Sequence, residues 1–330
     1  MKHVLVTGAS GFIGRNLVNS LANDGFVVHA LVRSSSIIAG LDHSNIIIFR
    51  GNILDKESIR DAMTGCAQVY HLAGLVKSWM KDKTMYEQVN VTGTDNVLSV
   101  AATLAIEKIV FFSTAGIFPP SRDRMTNENA PKSPGLHTEY ERTKNVAEQL
   151  AFSYYHNGVP VLIVNPTKVY GPGPIDDSNT ATMMIKNYIL GKWRIIPGNG
   201  KGTMNYVYID DVVTAAKTAM SKALPGSQYI IGGENASYDQ FFESIRELSG
   251  VDRKLYHVPY PLIRSIAFMQ DIKAKLFRVK PLIASEWAKK IPYDWSKDIT
   301  KAKHALNFCP ISLKQGIEQT ITWLRCAGQI

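Results

Sequence analysis

The chain has 330 residues, 45% of them hydrophobic and 20% charged, with a formal net charge of +9. Such a length supports one large domain or two unequal ones around a substantial core, with the composition of an ordinary globular protein. The basic residues are scattered among acidic ones without a dense Lys/Arg block, which sets nucleic acid aside as a partner and suits an anionic cofactor or substrate.

No stretch approaches the roughly 18 uninterrupted apolar residues of a spanning helix. The opening MKHVLVTG reaches a glycine too soon for the apolar region of a signal peptide. A soluble, cytoplasmic protein with no membrane partner is expected. Cys66, Cys309 and Cys326 are too few and too widely spaced for a disulfide framework or a CxxC site. The histidines show no ligand spacing, so no metal is expected.

In the first half, short β-branched runs alternate with helical patterns. Strands are expected at residues 3–7, 27–32, 46–49, 68–72, 108–113 and 160–164, and helices at 13–23, 56–63, 85–104 and 139–157. Runs such as VLV and KIVFF are apolar throughout, as in strands covered on both faces. A Rossmann-type α/β fold follows, a doubly wound parallel sheet with right-handed crossovers. After about Pro166 the texture changes: GPGP and PGNGKG punctuate the chain, then come a strand at 205–209, a helix from Asp210 and a strand at 228–231. The last eighty residues read as helices and loops. Residues 1–165 form the expected nucleotide domain, with 203–235 returning to the sheet region. Residues 166–202 and 236–330 form a smaller α/β substrate lobe over the carboxyl edge of the sheet, where ligands of such folds bind.

The segment VLVTGASGFIGRNLVNSLANDG joins the first strand to the first helix. Gly8 permits a tight turn, Gly11 lets backbone approach a pyrophosphate, and Gly14 lets the helix pack near the strand. The helix N-terminus faces the anion. Glycines in that strand–turn–helix context mark a dinucleotide site. Their spacing in TGASGFIG resembles the short-chain dehydrogenase/reductase superfamily. The resemblance implies that Gly8, Ser10, Gly11, Phe12, Ile13 and Gly14 line the cofactor. It assigns Asn52 and Ile53 of GNILD to the adenine, with Asn52 where the family commonly has Asp. It also assigns Leu72, Ala73 and Gly74 of HLAG to the middle of the cofactor. The second strand runs into VVHALVRSSS, where a carboxylate would bind the ribose 2′-hydroxyl of NAD. Arg33 stands there instead, a planar fork matched to a 2′-phosphate, so NADP(H) is the expected cofactor.

The chemistry of the superfamily rests on Tyr-x-x-x-Lys, two residues one helical turn apart on one face. The chain holds three such pairs, Tyr140/Lys144, Tyr188/Lys192 and Tyr293/Lys297. Gly191 interrupts the second and Pro292 precedes the third, whereas Tyr140 opens a long helical pattern after the fifth strand. Tyr140 and Lys144 are therefore the expected centre, and the other pairs read as surface or packing residues. The fifth strand ends in Ser113 and Thr114, and the family pattern S-[ST]-A-x-[VI]-[YF] selects Thr114 as the catalytic hydroxyl. Tyrosine, with a reference pKa of about 10, needs a nearby cation to stabilise its phenolate. Lys144 would supply it and, in the family, also holds the nicotinamide ribose. Thr114 would orient and polarise the carbonyl. Asn90 in EQVNVTGT resembles a family asparagine linked to a proton relay, with a polar helix-face residue as the alternative. Pro166, Thr167 and Val169 of VNPTKVYGPG resemble the loop that closes over the nicotinamide.

The length, the C-terminal lobe and the GPG after the sixth strand are similar to the extended branch of the superfamily, the NAD-dependent epimerase/dehydratase-like enzymes. LVRSSS, FFSTAG and VNPTKVYGPG together look most like the dihydroflavonol 4-reductase and 3β-hydroxysteroid dehydrogenase group. That resemblance implies an NADP-dependent oxidoreductase interconverting a ketone and a secondary alcohol on a bulky, cyclic substrate. Two alternatives stay open: an NAD-dependent nucleotide-sugar epimerase or dehydratase, and a non-catalytic cofactor-sensing protein. The substrate pocket is expected from residues 114–117, 119–138, 170–175 and the C-terminal helices, largely apolar. Family members often dimerise through two long helices, here 85–104 and 139–157, which makes a homodimer the implied assembly.

Overall fold

Both faces of strands such as VLV and KIVFF are apolar, and each face needs its own cover of helices. The computed structural model describes residues 2–121, 124–132, 138–281 and 283–330. In chain order they form β1 (His3–Thr7), α1 (Phe12–Asn23), β2 (Val27–Val32), β3 (Ile46–Arg50), α2 (Lys56–Met63) and β4 (Gln68–His71). Next come α3 (Thr84–Glu87), a π-helical turn (Gln88–Thr92), α4 (Gly93–Ala101), β5 (Lys108–Phe112), α5 (Glu139–His156), β6 (Val161–Pro166) and β7 (Lys168–Tyr170). The chain continues through α6 (Thr180–Ile189), β8 (Ile195–Pro197), β9 (Thr203–Tyr208), α7 (Ile209–Lys222), β10 (Gln228–Ile231) and β11 (Glu234–Ser237). It closes with α8 (Tyr238–Ser249), β12 (Tyr256–Val258), α9 (Tyr260–Phe277), α10 (Ser285–Ala288), α11 (Thr300–Leu306) and α12 (Leu313–Cys326).

Seven strands make one parallel sheet in the order β10-β6-β5-β4-β1-β2-β3. Val4 and Val6 of β1 enter one apolar layer with Leu17 of α1 and Val212 of α7. Leu5, between them, enters the other layer with Ile59 of α2, Val97 of α4 and Ala147 of α5. In β5 the same alternation sends Val110 and Phe112 one way and Ile109 and Phe111 the other. Burial on two sides is the reason these strands read as unbroken apolar runs. The chain leaves β1 toward β2 and β3 on one side and reaches β4 on the other, so a crevice opens at the carboxyl ends of β1 and β4.

A three-stranded sheet, β11-β9-β7, and a β8–β12 pair build the second lobe. Of residues 203–235, β10 extends the main sheet while β9 joins the small one. The expected helix at 85–104 is divided by the π-helical turn, a local widening that an apolar period of 3.6 does not reveal. Among the described residues no helix is long and apolar enough to cross a membrane.

Candidate active site

At the end of β1, Gly8 turns the chain with φ +70°. A Cβ on Gly8 would lie 2.7 Å from the Ala73 nitrogen, and one on Gly14 2.2 Å from the Gly8 oxygen. Glycine is thus required where backbone from the end of β4 meets this turn and where α1 folds back on it. Gly11 is the N-cap of α1 and offers no side chain to the first-turn amides. The N–H groups of Phe12, Ile13 and Gly14 therefore lack intrahelical acceptors, which fits a pyrophosphate. Ser10 borders the turn with partial exposure, and Ile13 is half-buried. The ring of Phe12 is buried in the core against Gly173, where a Cβ would lie 2.7 Å from it, so Phe12 offers the cradle its backbone.

Past β2, Arg33 is exposed, with no ion pair among the described residues. Its loop is pinned from β3: the Arg50 guanidinium donates to the carbonyls of Arg33, Ser34 and Ser36 at 3.1–3.2 Å. Asn52 is exposed and its Oδ1 accepts from the Leu54 amide at 3.1 Å, leaving its Nδ2 free to face a ligand. Ile53 packs on Gly93, where a Cβ would fall 2.4 Å from Ile53 Cδ1. Leu72 and Ala73 lie against Gly8, and the Ala73 amide donates to Thr7 Oγ1 at 3.2 Å. Gly74 faces Asn90, with 3.3 Å between its ideal Cβ and Asn90 Oδ1. Pro166 ends β6, and Val169 is buried. Between them the buried Thr167 hydroxyl has no hydrogen-bond partner among the described residues, an orphan suited to a ligand amide.

The end of β5 and the first turns of α5 bring the expected chemical groups together. The Thr114 hydroxyl lies close enough to the Tyr140 phenol to favour its ionised form, and Thr114 Oγ1 accepts from the Gly116 amide at 3.2 Å. Ser113, whose side chain projects to the opposite side of the extended backbone, has a buried hydroxyl with no partner among the described residues. A capping box of Thr138 and Glu141 starts α5, which sets the position of Tyr140. Burial pushes the Tyr140 phenol well above its usual range; the Glu141 charge adds to this and the Thr114 hydrogen bond opposes it.

Lys144 lies one turn further on. Its Nζ donates to the Phe112 carbonyl at 2.6 Å and sits 4.3 Å from the centre of the Phe111 ring. Burial draws its pKa down to about 7, against the opposing charge of Glu148. His71 bridges Thr7 Oγ1 at 2.7 Å and Thr94 Oγ1 at 3.0 Å. Burial, with the Lys144 charge, takes His71 to about 3, so the ring is neutral. Asn90 occupies the π-helical turn. Its Oδ1 accepts from the Leu75 amide at 2.7 Å and its Nδ2 donates to Thr143 Oγ1 at 2.9 Å. Asn90 thereby ties the segment after β4 to α5 between Tyr140 and Lys144.

Sequence reasoning missed a lysine cluster on the far side of Tyr140. Glu141 is buried and paired with Lys290, whose ammonium lies 4.3 Å from the Trp295 ring centre and 5.4 Å from that of Trp287. Lys297 is buried and donates to the Pro119 carbonyl at 3.1 Å. Lys168, at the start of β7, is enclosed but keeps some accessible surface. Burial, then the charge of Lys290, lowers it to about 8, and the same causes take Lys297 to about 7. Lys297 belongs to a Tyr-x-x-x-Lys pair set aside above; its Tyr293 is exposed. Tyr188 is a core residue donating to the Val251 carbonyl at 3.1 Å. The only sequence signal for the cluster is Lys168 within VNPTKVYGPG. Of the expected pocket wall 119–138, residues 122–123 and 133–137 lie outside the described residues. Of the remainder, Ser121 and Thr126 bridge to the strand-like segment holding Lys297.

The model of the NAD dependent epimerase/dehydratase family matches residues 4–232. Sterol demethylase protein B of Methylococcus capsulatus is 30% identical over 99% of this chain and 99% of that protein. The decarboxylating sterol-4-alpha-carboxylate 3-dehydrogenase of Candida albicans is 25% identical over 98% of both. The crystal structure of gox2253 superimposes with a TM-score of 0.87 at 25% identity, covering all of each chain. The glycine turn and the Tyr140–Lys144 helix lie inside the matched segment, and the chain belongs to the NAD dependent epimerase/dehydratase family, enzymes of the extended short-chain dehydrogenase/reductase branch.

Proposed function

We propose that this enzyme is an NADP(H)-dependent oxidoreductase that interconverts a ketone and a secondary alcohol on a bulky, cyclic substrate. The observation that carries the proposal is the Thr114–Tyr140 hydroxyl pair with Lys144 one turn behind it. When bound, the dinucleotide supplies or accepts the hydride. Gly8, Ser10, Gly11, Ile13 and Gly14 would hold its pyrophosphate, Asn52 and Ile53 its adenine, and Arg33 its 2′-phosphate. Leu72, Ala73 and Gly74 would line its middle, and Pro166, Thr167, Val169 and Lys144 its nicotinamide end.

Tyr140 acts as general acid toward the alkoxide oxygen in reduction and as general base in oxidation. Its raised pKa keeps the proton in place at neutral pH until a developing negative charge draws it away. A charged Lys144 lowers the cost of the resulting phenolate. Thr114 donates to the carbonyl oxygen and orients it, and Asn90 maintains the relation of α5 to the cofactor side. Two relatives whose names carry sterols support a bulky, cyclic substrate.

The test is calorimetric binding of NADPH and NADH to wild type and to Arg33→Ala. NADPH is expected to bind tighter, and loss of the charged contact should erase a margin of about tenfold to a hundredfold. Tighter binding of NADH would overturn the cofactor assignment. The lysine cluster favours a second reading, a nucleotide-sugar epimerase or dehydratase, because Lys168, Lys290 and Lys297 with one carboxylate suit an anionic substrate. Turnover of a nucleotide-sugar without net consumption of added dinucleotide would select that reading.

A further inference from the structure

The helix α9 carries two apolar faces, and the fold buries only one. Ile263, Ala267 and Ala274 are buried; Ile263 and Ala267 form a small cluster with Ala288 of α10, Tyr260 and Ile291. On the opposite side Leu262, Ile266, Met269 and Leu276 follow the i, i+4, i+7, i+14 spacing of a single stripe, with Ile272, Phe268 and Phe277 beside it. These seven side chains are 41–71% exposed. No other part of the described surface gathers large apolar residues in this way, and contiguous patches of that kind mark contact with a partner or a membrane.

The charges on the same segment identify the partner. Arg264, Lys273, Lys275 and Arg278 lie on or at the end of α9, and none has an acidic partner among the described residues. Asp271, the lone carboxylate of the helix, turns toward α10 and accepts from the Ser285 amide at 3.2 Å. Lys280, just beyond, is engaged by Asp177. Lys273 stands at i+11 from Leu262, within the stripe, while Arg264 and Lys275 lie along one flank of the exposed apolar arc. An apolar face carrying unpaired cations in this way is complementary to an anionic bilayer surface, where the apolar side chains enter the acyl boundary and the long cationic stems reach the headgroups. A second copy of the chain docked about a twofold axis would bring the same four cations together with only Asp271, already engaged by α10, to offset them.

We propose that α9 lies in the interface of an anionic membrane and anchors the enzyme there peripherally. At 18 residues α9 is about 27 Å long. It does not span the bilayer, and the exclusion of a spanning helix says nothing of one lying flat. Through Ile291 and α10 it packs beside the segment that delivers Lys290 to the candidate site, so a docked α9 would hold the substrate lobe at the lipid surface.

The test is co-sedimentation of the full chain with vesicles of phosphatidylcholine, alone or mixed with phosphatidylglycerol. Two variants accompany wild type: Phe268→Ser/Met269→Ser/Leu276→Ser/Phe277→Ser, and Lys273→Gln/Lys275→Gln/Arg278→Gln. Every substituted side chain is exposed, so both variants should unfold at the wild-type temperature. Wild type is expected to bind the phosphatidylglycerol vesicles and release in high salt. Each variant should bind about a hundredfold more weakly, from the apolar area or the charge removed. Failure of wild type to sediment would overturn the proposal, as would binding that both variants retain. A wild-type dimer in sedimentation velocity that the serine variant dissociates, without vesicle binding, would instead assign the face to self-association.

Discussion

The two sides of the cleft are held by different kinds of group. On the dinucleotide side the geometry belongs to the backbone: Gly8 and Gly14 exist so that β4, the turn and α1 can approach within van der Waals contact. On the far side of Tyr140 it belongs to long side chains, with Lys290 reaching Glu141 from 149 residues away and Lys297 reaching Pro119 from 178 away. A backbone-built site tolerates little change at a few local positions and leaves a short spacing in the sequence. A side-chain-built site is assembled by tertiary contact, leaves no spacing, and sets buried charges against one another.

The contrast can be tested from both sides. Tyr140→Phe, at the seam between them, should lower kcat/KM by roughly 10²–10⁴ while leaving dinucleotide affinity within a few-fold, read by steady-state kinetics and calorimetry. On the side-chain side, Glu141→Ala strands the buried Lys290 ammonium and removes a capping partner of α5, and should cost about 3–5 kcal/mol in denaturant unfolding. Glu141→Gln, which retains shape but not charge, should recover part of the capping loss and none of the ion pair.

The same buried lysines predict a pH dependence. Lys144 and Lys297 are held near 7 and Lys168 near 8 in the folded chain, against 10.5 unfolded. Between about pH 7 and 10 the unfolded state therefore binds more protons, so stability rises with pH by up to about 1.4 kcal/mol per unit for each lysine fully displaced. Above pH 10 the sign reverses, because burial raises Tyr70, Tyr140 and Tyr206 and the unfolded tyrosines lose protons first. A stability curve that falls steadily from pH 7 would show that the lysines are not buried as described.

On the backbone side, Gly8→Ala meets Ala73 at 2.7 Å and a φ of +70°, and should cost about 1–3 kcal/mol together with dinucleotide affinity. Gly25→Ala has a comparable φ of +86° but nothing within 4 Å of its Cβ, so it should cost only the conformational part, about 1 kcal/mol. Equal losses at the two glycines would remove the distinction between close approach and turn geometry.

Much of the nucleotide half was legible before folding was considered. Six strands of the main sheet, the turn at Gly8–Gly14 and the choice of Tyr140/Lys144 among three similar pairs all follow from patterns within about twenty residues of one another. Asn90 was half legible: its type and place in EQVNVTGT suggested a helix position, but the π-helical turn and the bond to Thr143 needed α5 in place. Lys168, Lys290 and Lys297 were not legible as a group. Lysine in a sequence reads as solvated surface, and Lys290 and Lys297 lose water because Trp287, Trp295 and the segment from Pro119 close around them. The outward stripe of α9 was invisible for the converse reason. A helix that is apolar on two sides looks like core until the fold shows which side it covers.

Local chemistry therefore dictated the strands, the glycine turn and the tyrosine–lysine helix, because each depends on steric and periodic constraints between near neighbours. Only the tertiary structure decided which lysines become buried, which face of α9 remains bare and where the carboxyl edge of the sheet meets the second lobe. Those outcomes depend on solvent exclusion and on fields between residues far apart in the chain, which no short segment contains.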